Sequence, residues 1–411
     1  MSALPLSDVK VLDLTRLLPG GFCSLLLADL GAEVLKVEDT GMGDYIRWAP
    51  PYYGSEEQQA LGTRSSLYLS LNRGKRSVRL DLKQEDGREA LLRLATDYDV
   101  VLDGFRPGVL DKLGVGYERM REANPRIVYC AITGYGQDGP YAQRAGHDMN
   151  YLGLVGLLGL TGAKDGPPVQ SAGQIADLGG GALMAAFGVM AALHERRRSG
   201  EGQMVDISMA DGALSWLAMV AGRYFCDEEV PRRGEQMLAG GIVCYLPYEA
   251  SDGWVTCGAL EPKFWAAFCN GVGRPDLVEK QFEAPGSEAW QEVAVIFRSR
   301  SRDEWLAFND EHDCCIEPVL DLDEALDSEL VRARKMVVEL EQPQLGTVRQ
   351  LGHPVKLGRT PADPTRPAPA FGEHTDEVLA EAGYSPEEIE ALKASGAAAG
   401  PVAAPQGEFR A

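Results

Sequence analysis

The sequence predicts an α/β protein in which a large domain with a parallel sheet is joined to a smaller α+β domain. Two observations lead to this prediction. Short apolar segments alternate with helical segments between residues 9 and 131, and the composition changes near residue 226. Strand–helix–strand repeats of this length give parallel strands, because each crossover returns the chain to the same end of the sheet.

The predicted elements follow this alternation along the chain. Residues 9–14 form a strand, a Pro-Gly-Gly turn at 19–21 follows, and a helix over 22–30 leads to a strand at 33–37. The pattern repeats with strands at 77–82, 99–103 and 126–131 and with helices at 84–97 and 109–124. A long apolar helix is expected over 175–198, then a strand at 203–207 and a helix over 209–225.

The polar segment that starts at residue 226 suggests a domain boundary. Beyond it, apolar segments at 242–249 and 254–257 flank an Ala-Ser-Asp-Gly turn, which is typical of a β-hairpin, and three helical segments follow. We therefore expect a large domain over 1–225 and a small domain over 226–330. Residues 331–395 are expected to return to the large domain, and the Ala/Gly/Pro-rich residues 396–411 to form a flexible tail.

Charge and cysteine usage restrict the function classes. The 411 residues include 40 Lys and Arg against 61 Asp and Glu, a formal net charge of -21 that repels nucleic acid and anionic membranes. No segment reads as a signal peptide or as a membrane span, so no membrane insertion is expected. The eight cysteines contain no CxxC pair, which predicts buried thiols and a cytoplasmic location.

Three ionisable residues are candidates for chemistry. His147 opens an apolar segment, where its ring would be partly desolvated, and both a core histidine and a catalytic one fit this position. Asp177 precedes three glycines, so it is either a helix N-cap or a carboxylate beside amides that hold an oxyanion, and both can be true. Glu261 precedes Pro262 and fits a helix start, or a partner that orients His147. The histidines and cysteines do not cluster at ligand spacing, so no metal site is predicted.

Two basic segments are candidates for binding a phosphate. Four cations, Arg73, Lys75, Arg76 and Arg79, lie immediately before and within a predicted strand, where a solvated basic turn is the alternative. The second candidate is the turn from Arg106 to Lys112, which follows the strand at 99–103. Ligands of open α/β sheets bind beyond the carboxyl ends of strands, and this geometry favours the second turn.

Taken in order, several segments resemble the family III CoA-transferases (CaiB/BaiF) and, within them, the α-methylacyl-CoA racemases. The resemblance runs from about residue 6 to 392 and rests on segments 14–20, 27–37, 72–82, 104–108, 133–140, 145–151, 176–181 and 258–262. It implies a Rossmann-like large domain built from both ends of the chain, a small middle domain, and two subunits interlocked as a homodimer. It also implies that the substrate is an acyl-CoA thioester, so that CoA is part of the substrate and no separate cofactor is needed.

The resemblance further implies which residues contact CoA. The matching positions are Leu80, Asp81, Leu82, Lys83, Gly104, Lys112, Gly146, Asp148, Asn150 and Tyr151. One position departs from the pattern: similar proteins often have an arginine after the acidic residue that matches Glu38, and this chain has Asp39 there. We therefore do not carry a nucleotide contact over to this position.

The three candidate residues also separate the two branches of the family. Transferases resemble this chain at Asp177, which in them is a nucleophile that forms an anhydride and then an aspartyl-CoA thioester. Racemases resemble it at His147, Asp177 and Glu261 together, and this favours a racemase or epimerase of 2-methyl-branched or similar acyl-CoA. Inversion of a weak carbon acid needs one group to remove a proton while another delivers one to the opposite face. A CoA-transferase is the alternative, and a catalytically silent CoA-binding protein is a third hypothesis.

Overall fold

The structure, a computed structural model, describes residues 4–55 and 63–401. Its strands are β1 (Lys10–Asp13), β2 (Glu33–Glu38), β3 (Lys75–Leu80), β4 (Val100–Asp103), β5 (Val128–Thr133), β6 (Met204–Ser208), β7 (Tyr245–Ala250), β8 (Gly253–Gly258), β9 (Ile316–Pro318), β10 (Val337–Gln342), β11 (Gly346–Leu351) and β12 (Ala398–Ala399). Seven of them form one sheet in the order β12-β3-β2-β1-β4-β5-β6. All neighbours in this sheet are parallel except β12, which is antiparallel to β3.

Helices cover both faces of this sheet and form much of the remaining chain. The α-helices are α1 (Leu18–Asp29), α2 (Ser66–Asn72), α3 (Glu85–Ala95), α4 (Val109–Lys112), α5 (Tyr117–Ala123), α6 (Asp148–Leu154), α7 (Leu157–Leu160), α8 (Met184–Ser199), α9 (Met209–Ser215), α10 (Ala218–Asp227), α11 (Pro262–Gly271), α12 (Glu288–Arg298), α13 (Arg302–His312), α14 (Leu322–Leu326), α15 (Glu329–Ala333), α16 (Thr375–Glu381) and α17 (Pro386–Ser395). A π-helix spans Ile175–Leu183, and 3-10 helices span Tyr45–Trp48 and Pro275–Lys280. The predicted α/β class and parallel sheet are therefore confirmed.

Alternate residues of the central strands pack into two different layers. Val11 of β1 lies in a core with residues of α1 and α8, whereas its neighbour Leu12 lies in a core with residues of α3, α5, α16 and α17. Successive side chains of a strand point to opposite faces, so an uninterrupted apolar strand fits a sheet covered on both sides. Each buried aliphatic side chain of this kind contributes roughly 1.5–3 kcal/mol of transfer free energy.

The chain divides into two compact units. The larger extends to Leu154, resumes over Gly173–Ser215 and continues from Glu329, while the smaller comprises Val155–Ala172 and Trp216–Ser328. The main segment of the smaller unit thus begins at Trp216 rather than at residue 226, and the unit also includes Val155–Ala172, which we expected in the large domain. The expected boundary followed a change in polarity, whereas the observed one follows packing.

The predicted flexible tail is wrong for its first residues. Ala398 and Ala399 pair with Leu80 and Arg79 at the edge of the sheet, and the amide of Asp81 donates to the carbonyl of Ala397 at 2.8 Å. The Ala/Gly composition hid this short strand, because its pairing depends on the backbone rather than on side chains. Residues 402–411 lie outside the described residues.

The smaller unit holds the predicted hairpin. Strands β7 and β8 pair antiparallel from Tyr245 opposite Gly258 to Ala250 opposite Gly253, and β9 adds to β8. Helices α11, α12 and α13 cover the sheet with an aromatic cluster of Trp265, Phe268, Phe297, Trp305 and Phe308. These large side chains give the unit its own core.

The long helix predicted over 175–198 consists of two parts, the π-helix and α8. Gly180 in the π-helix lies against Gly212 of α9: a Cβ placed on Gly180 would be 2.6 Å from the carbonyl oxygen of Met209, and one on Gly212 would be 2.1 Å from that of Gly180. Only glycine fits such a close approach of two backbones. Gly180 therefore allows the π-helix to pack closely against α9.

Of the eight cysteines, six are buried as predicted. Cys226 is exposed and Cys315 is partly exposed, so the expectation of burial is wrong for these two. Cys226 lies in α10, whose residues include no buried side chain.

Candidate active site

The carboxyl ends of β1 and β4 are neighbours in the sheet. From β1 the chain proceeds to β2 and β3 on one side, and from β4 it proceeds to β5 and β6 on the other. Where the strand order reverses in this way, the connecting loops diverge and leave a crevice that is the usual ligand site of such sheets.

At the end of β1, the buried Asp13 fixes the loop that follows. Its Oδ1 accepts hydrogen bonds from the amide of Thr15 at 3.0 Å and from the Thr15 hydroxyl at 2.5 Å. Burial alone would raise the pKa of Asp13, but Lys75, 3.2 Å away, and the nearby Lys36 lower it to about 2. Lys36 also donates to the carbonyl of Thr15 at 3.0 Å. Asp13 is thus permanently ionised and structural.

At the end of β4, Asp103 has the same relation to its loop but a different environment. One oxygen accepts from the amide of Phe105 at 2.8 Å and the other from the Tyr129 hydroxyl at 2.7 Å. Burial raises the pKa of Asp103 to about 6 despite these hydrogen bonds. The two aspartates therefore shape both loops that border the crevice.

Two cavities open along this crevice. The first, of about 460 Å³, lies between the loops after β1, β4 and β5 and the start of α6; it is lined by Thr15, Arg16, Pro19, Gly20, Tyr45, Gly104, Phe105, Arg106, Pro107, Ile132, Thr133, Gly134, Ala142, Arg144, Ala145, Gly146, His147, Asn150, Tyr151 and Met209. The second, of about 590 Å³, is lined by Arg16, Asp39, Thr40, Gly41, Met42, Gly43, Tyr45, Asp81 and Lys83. Arg16 and Tyr45 line both. We call the first the inner cavity and the second the outer cavity.

His147 lies on the inner cavity immediately before α6. Its amide donates to Asn150 Oδ1 at 3.0 Å and its carbonyl accepts from the Asn150 amide at 2.8 Å, an arrangement that starts the helix. His147 is exposed in the single chain, so the prediction that its ring is partly buried is wrong for the chain by itself.

Asp148, next to His147, connects α6 to the π-helix. Its buried Oδ1 accepts from the amides of Ala176 at 2.7 Å and Asp177 at 3.0 Å. The capping role that we considered for Asp177 thus belongs to Asp148. Because Asp148 lies in another helix, the residues around Asp177 alone could not predict this cap. The same contact holds Asp177 close to His147.

Asp177 has the electrostatic character of a proton-transfer group. Burial and the negative charge of Asp148 raise the pKa of Asp177 from 3.8 to about 6, while His147 acts in the opposite direction. No hydrogen bond from the described residues reaches its carboxylate. A carboxyl group with a pKa in this range exchanges protons readily near neutral pH.

Glu261 belongs to the smaller unit, where it is the exposed residue that precedes α11. The amides of Phe264 and Trp265 donate to its carbonyl, which confirms its position at the helix start. Its side chain does not cap the helix. The pairing with His147 stays a prediction.

The structure distributes the expected CoA contacts unevenly. Gly104, Gly146, Asn150 and Tyr151 line the inner cavity, as His147 does, and Asp81 and Lys83 line the outer one. Lys112 and Leu82 line neither of the two, and Leu80 is buried in the sheet. Asp148 is buried and engaged with the π-helix. The CoA contact stays a prediction for all of these residues, and for these four the two cavities give it no support.

The basic cluster that precedes and begins β3 is not a phosphate site. Arg73 pairs with Asp29 at 2.7 Å and Lys75 with Asp13 at 3.2 Å, all four side chains being buried. Arg76 pairs with glutamates from three other positions, Glu33, Glu377 and Glu381. Arg79 donates to the carbonyls of Gly400 and Thr40. The alternative, a solvated turn, is wrong as well, because Arg73, Lys75 and Arg79 are buried and Arg76 is paired.

The other basic turn lies partly at the site. Arg106 lines the inner cavity. Sequence reasoning missed Arg16, Tyr45 and Arg144, although Arg16 follows a strand just as Arg106 does and the same rule could have found it. Among the described residues no group of three or more His, Cys, Asp and Glu side chains could hold a metal ion.

Comparison with known protein families identifies the family of this chain. A family model described as CoA-transferase family III matches residues 6–375. The chain belongs to this family. The resemblance noted in the sequence is thus confirmed, and family III proteins include solved structures: a CAIB/BAIF family protein from Brucella suis is similar with a TM-score of 0.80 and 30% identity, over 93% of this chain and 100% of that one.

The relatives within family III carry two kinds of name. This chain is 37% identical over 393 residues to the alpha-methylacyl-CoA racemase of Mus musculus, which covers 93% of this chain and 95% of that protein. It is 33% identical over 385 residues to the succinyl-CoA:glutarate CoA-transferase of Homo sapiens, covering 92% and 86% respectively. It is also 36% identical over 394 residues to the succinyl-CoA:mesaconate CoA-transferase of Haloarcula hispanica, covering 92% and 96%. Such similar identities leave the choice between the reactions to the site.

Proposed function

We propose that this family III protein inverts the configuration at the α-carbon of 2-methyl-branched or similar acyl-CoA thioesters. The observation that supports this choice is the placement of two proton-transfer groups, His147 and Asp177, at the starts of two helices that Asp148 joins. Asp177 has a pKa of about 6, so its carboxyl group can both hold and release a proton near neutral pH.

The chemistry follows from the acidity of the substrate. The thioester carbonyl stabilises the carbanion at the α-carbon as an enolate, and one group removes the α-proton from one face. The other group, protonated beforehand, delivers its proton to the opposite face of the enolate, and the carbon is inverted without any change at sulfur. Main-chain amides of the glycines that follow Asp177, such as that of Gly179, would stabilise the enolate oxygen. From the resemblance, Glu261 would hold the imidazole in position.

The two cavities fit the two parts of such a substrate. The outer cavity, which carries Arg16 and Lys83, would hold the nucleotide, and the inner cavity, which reaches His147, would hold the thioester arm. CoA is a part of the substrate in this proposal, and no separate cofactor takes part.

The test is isotope exchange at the α-carbon. One enantiomer of a 2-methylacyl-CoA incubated with the protein in D2O, without an acceptor acid, is expected to gain α-deuterium and to become a mixture of both forms. Asp177→Asn should abolish exchange, while the chemically matched Asp376→Asn, at an exposed position in α16, should not. Absence of label from a panel of branched acyl-CoAs would overturn the proposal.

CoA transfer is the second candidate, because transferases stand among the relatives and Asp177 could serve as their nucleophile. The carboxylate would attack the thioester carbonyl, release CoA as a thiolate and form an anhydride, which the thiolate then converts into an aspartyl-CoA thioester and free acid. Hydroxylamine would trap that thioester as a hydroxamate on Asp177. CoA transfer to an added acid together with this adduct, and no α-deuterium, would establish the transferase. Saturable CoA binding without either activity would leave a silent binding protein.

We also propose that the protein acts as an interlocked homodimer in the cytoplasm. The π-helix and α8 together form a helix of 25 residues, Ile175–Ser199, that is long and apolar enough to cross a membrane. Of its most apolar 18-residue stretch, 44% is buried inside the protein. Phe187 and Met190 of α8 are 72% and 40% exposed, and Leu183 at the end of the π-helix is 42% exposed. A second copy that covers this face would remove the cost of exposure. Light scattering should give twice the mass of the chain, and partition into lipid vesicles would point to a membrane instead.

A further inference from the structure

The outer cavity is nearly neutral although its proposed ligand is strongly anionic. Among its described lining residues, two are cations, Arg16 and Lys83, and two are carboxylates, Asp39 and Asp81. A phosphomonoester alone carries about -1.5 to -2 charges near pH 7. The balance between Arg16 and its neighbours therefore affects how well such a ligand binds.

Asp39 holds the guanidinium of Arg16. Asp39 Oδ2 accepts from Arg16 Nη2 at 2.8 Å, and its Oδ1 accepts from the amides of Gly41 at 2.8 Å and Gly43 at 3.2 Å. The two amides hold the Asp39 carboxylate in the position from which it pairs with Arg16. The side chains are 39% and 38% exposed, so a ligand in the cavity can reach the pair.

Arg16 occupies the junction of the two cavities. It lines both, and its guanidinium lies 5.5 Å from the centre of the Phe105 ring on the inner side. Asp81 does not compete for it in the same way, since its oxygens accept from the Lys83 amide at 3.0 Å and from Gln84 Nε2 at 3.2 Å. Asp39 is thus the carboxylate that neutralises the cation best placed for a phosphate.

We propose that Asp39 is a specificity-determining residue that competes with the phosphates of a CoA thioester for Arg16. The inference rests on the proposed CoA binding and adds a property of this chain. A phosphate group must either displace Asp39 from Arg16 or bind beside a carboxylate that repels it. Binding of the nucleotide is consequently weaker than Arg16 alone would allow, and the part of the ligand without phosphate is unaffected.

Calorimetry with CoA, 3′-dephospho-CoA and pantetheine tests this inference. Asp39→Asn keeps an oxygen for the two glycine amides and removes the charge. It is expected to tighten CoA binding by about 2- to 5-fold at low ionic strength, which corresponds to about 0.4–1 kcal/mol and lies within the range of exposed pairs. The gain should be smaller in about 0.3 M salt. Pantetheine, which lacks phosphate, should bind equally to both proteins. The gain should shrink when Arg16→Gln is added.

Controls separate the possible failures. Asp376→Asn changes the net charge by the same amount at a site outside the cavity, and it should leave CoA binding unchanged. If Asp39→Asn binds CoA more weakly, the carboxylate only stabilises the turn, and the inference is overturned. The inference is also overturned if the gain is equally large for pantetheine or in the Arg16→Gln background, because the carboxylate then does not compete with phosphate for Arg16. If the wild type binds CoA and Asp39→Asn changes nothing, this inference alone fails. If the wild type does not bind CoA, the proposed function fails with it.

Discussion

Replacement of Asp177 by asparagine should make the protein more stable while it removes the activity. The pKa of Asp177 is raised from 3.8 to about 6, so the folded chain holds a proton that the unfolded chain releases. Stability therefore falls as the pH rises from about 4 to about 6 and stays lower above that range. A shift of about two units corresponds to at most about 3 kcal/mol. The asparagine side chain carries no charge at any of these pH values, so the variant avoids this cost.

Thermal unfolding of the ligand-free proteins between about pH 4 and pH 8, at one protein concentration, measures the effect. Near pH 8 the Asp177→Asn protein should melt above the wild type by up to about 3 to 4 °C, if the whole chain unfolds together. The difference should shrink toward pH 4, where the carboxyl group is largely protonated in the folded chain and partly protonated in the unfolded one. A variant that melts at or below the wild type at pH 8, or a difference that does not depend on pH, would refute the assignment of a destabilised carboxylate.

Two further perturbations address the surroundings of Asp177. His147→Ala removes an acid/base group, so α-deuterium exchange should fall by about 10²- to 10⁴-fold. It also removes the group that lowers the pKa of Asp177, so the acidic limb of any residual activity should move to higher pH, and a shift to lower pH would contradict this electrostatic effect. Gly180→Ala places a methyl group 2.6 Å from the Met209 carbonyl and should lower stability by about 1–3 kcal/mol in a melting experiment. Gly222→Ala in α10, where nothing lies within 4 Å of the added methyl, should not lower it.

The sheet could be predicted because its determinants are local. Val11 and Leu12 of β1 and most residues of β5 are apolar on both faces of the strand, as is typical of a strand that helices cover on both sides. The β7 and β8 hairpin follows in the same way from a short turn between two apolar segments. The position of the ligand crevice then follows from the connectivity of parallel strands, and this led to the loop after β4.

Pairings between distant residues could not be read from the sequence. Arg73 and Lys75 look like a basic patch, but their carboxylate partners Asp29 and Asp13 lie 44 and 62 residues away. The cap of the π-helix likewise comes from Asp148, which is 28 residues before the amide of Ala176. A local pattern indicates that a charged side chain is present, whereas the fold determines whether that side chain is paired. A single sequence does not show which distant residues the fold brings together.

Three aspartates of the larger unit show what separates a structural carboxylate from a chemical one. Asp13 is ionised by the buried Lys75 and has no proton to exchange at any physiological pH. Asp103 shares with Asp177 a pKa raised to about 6, but both its oxygens are occupied, by the amide of Phe105 and the hydroxyl of Tyr129. A raised pKa is thus insufficient to identify a catalytic group. Asp177 combines that pKa with a carboxylate that no described residue engages by a hydrogen bond, and this second property separates it from Asp103.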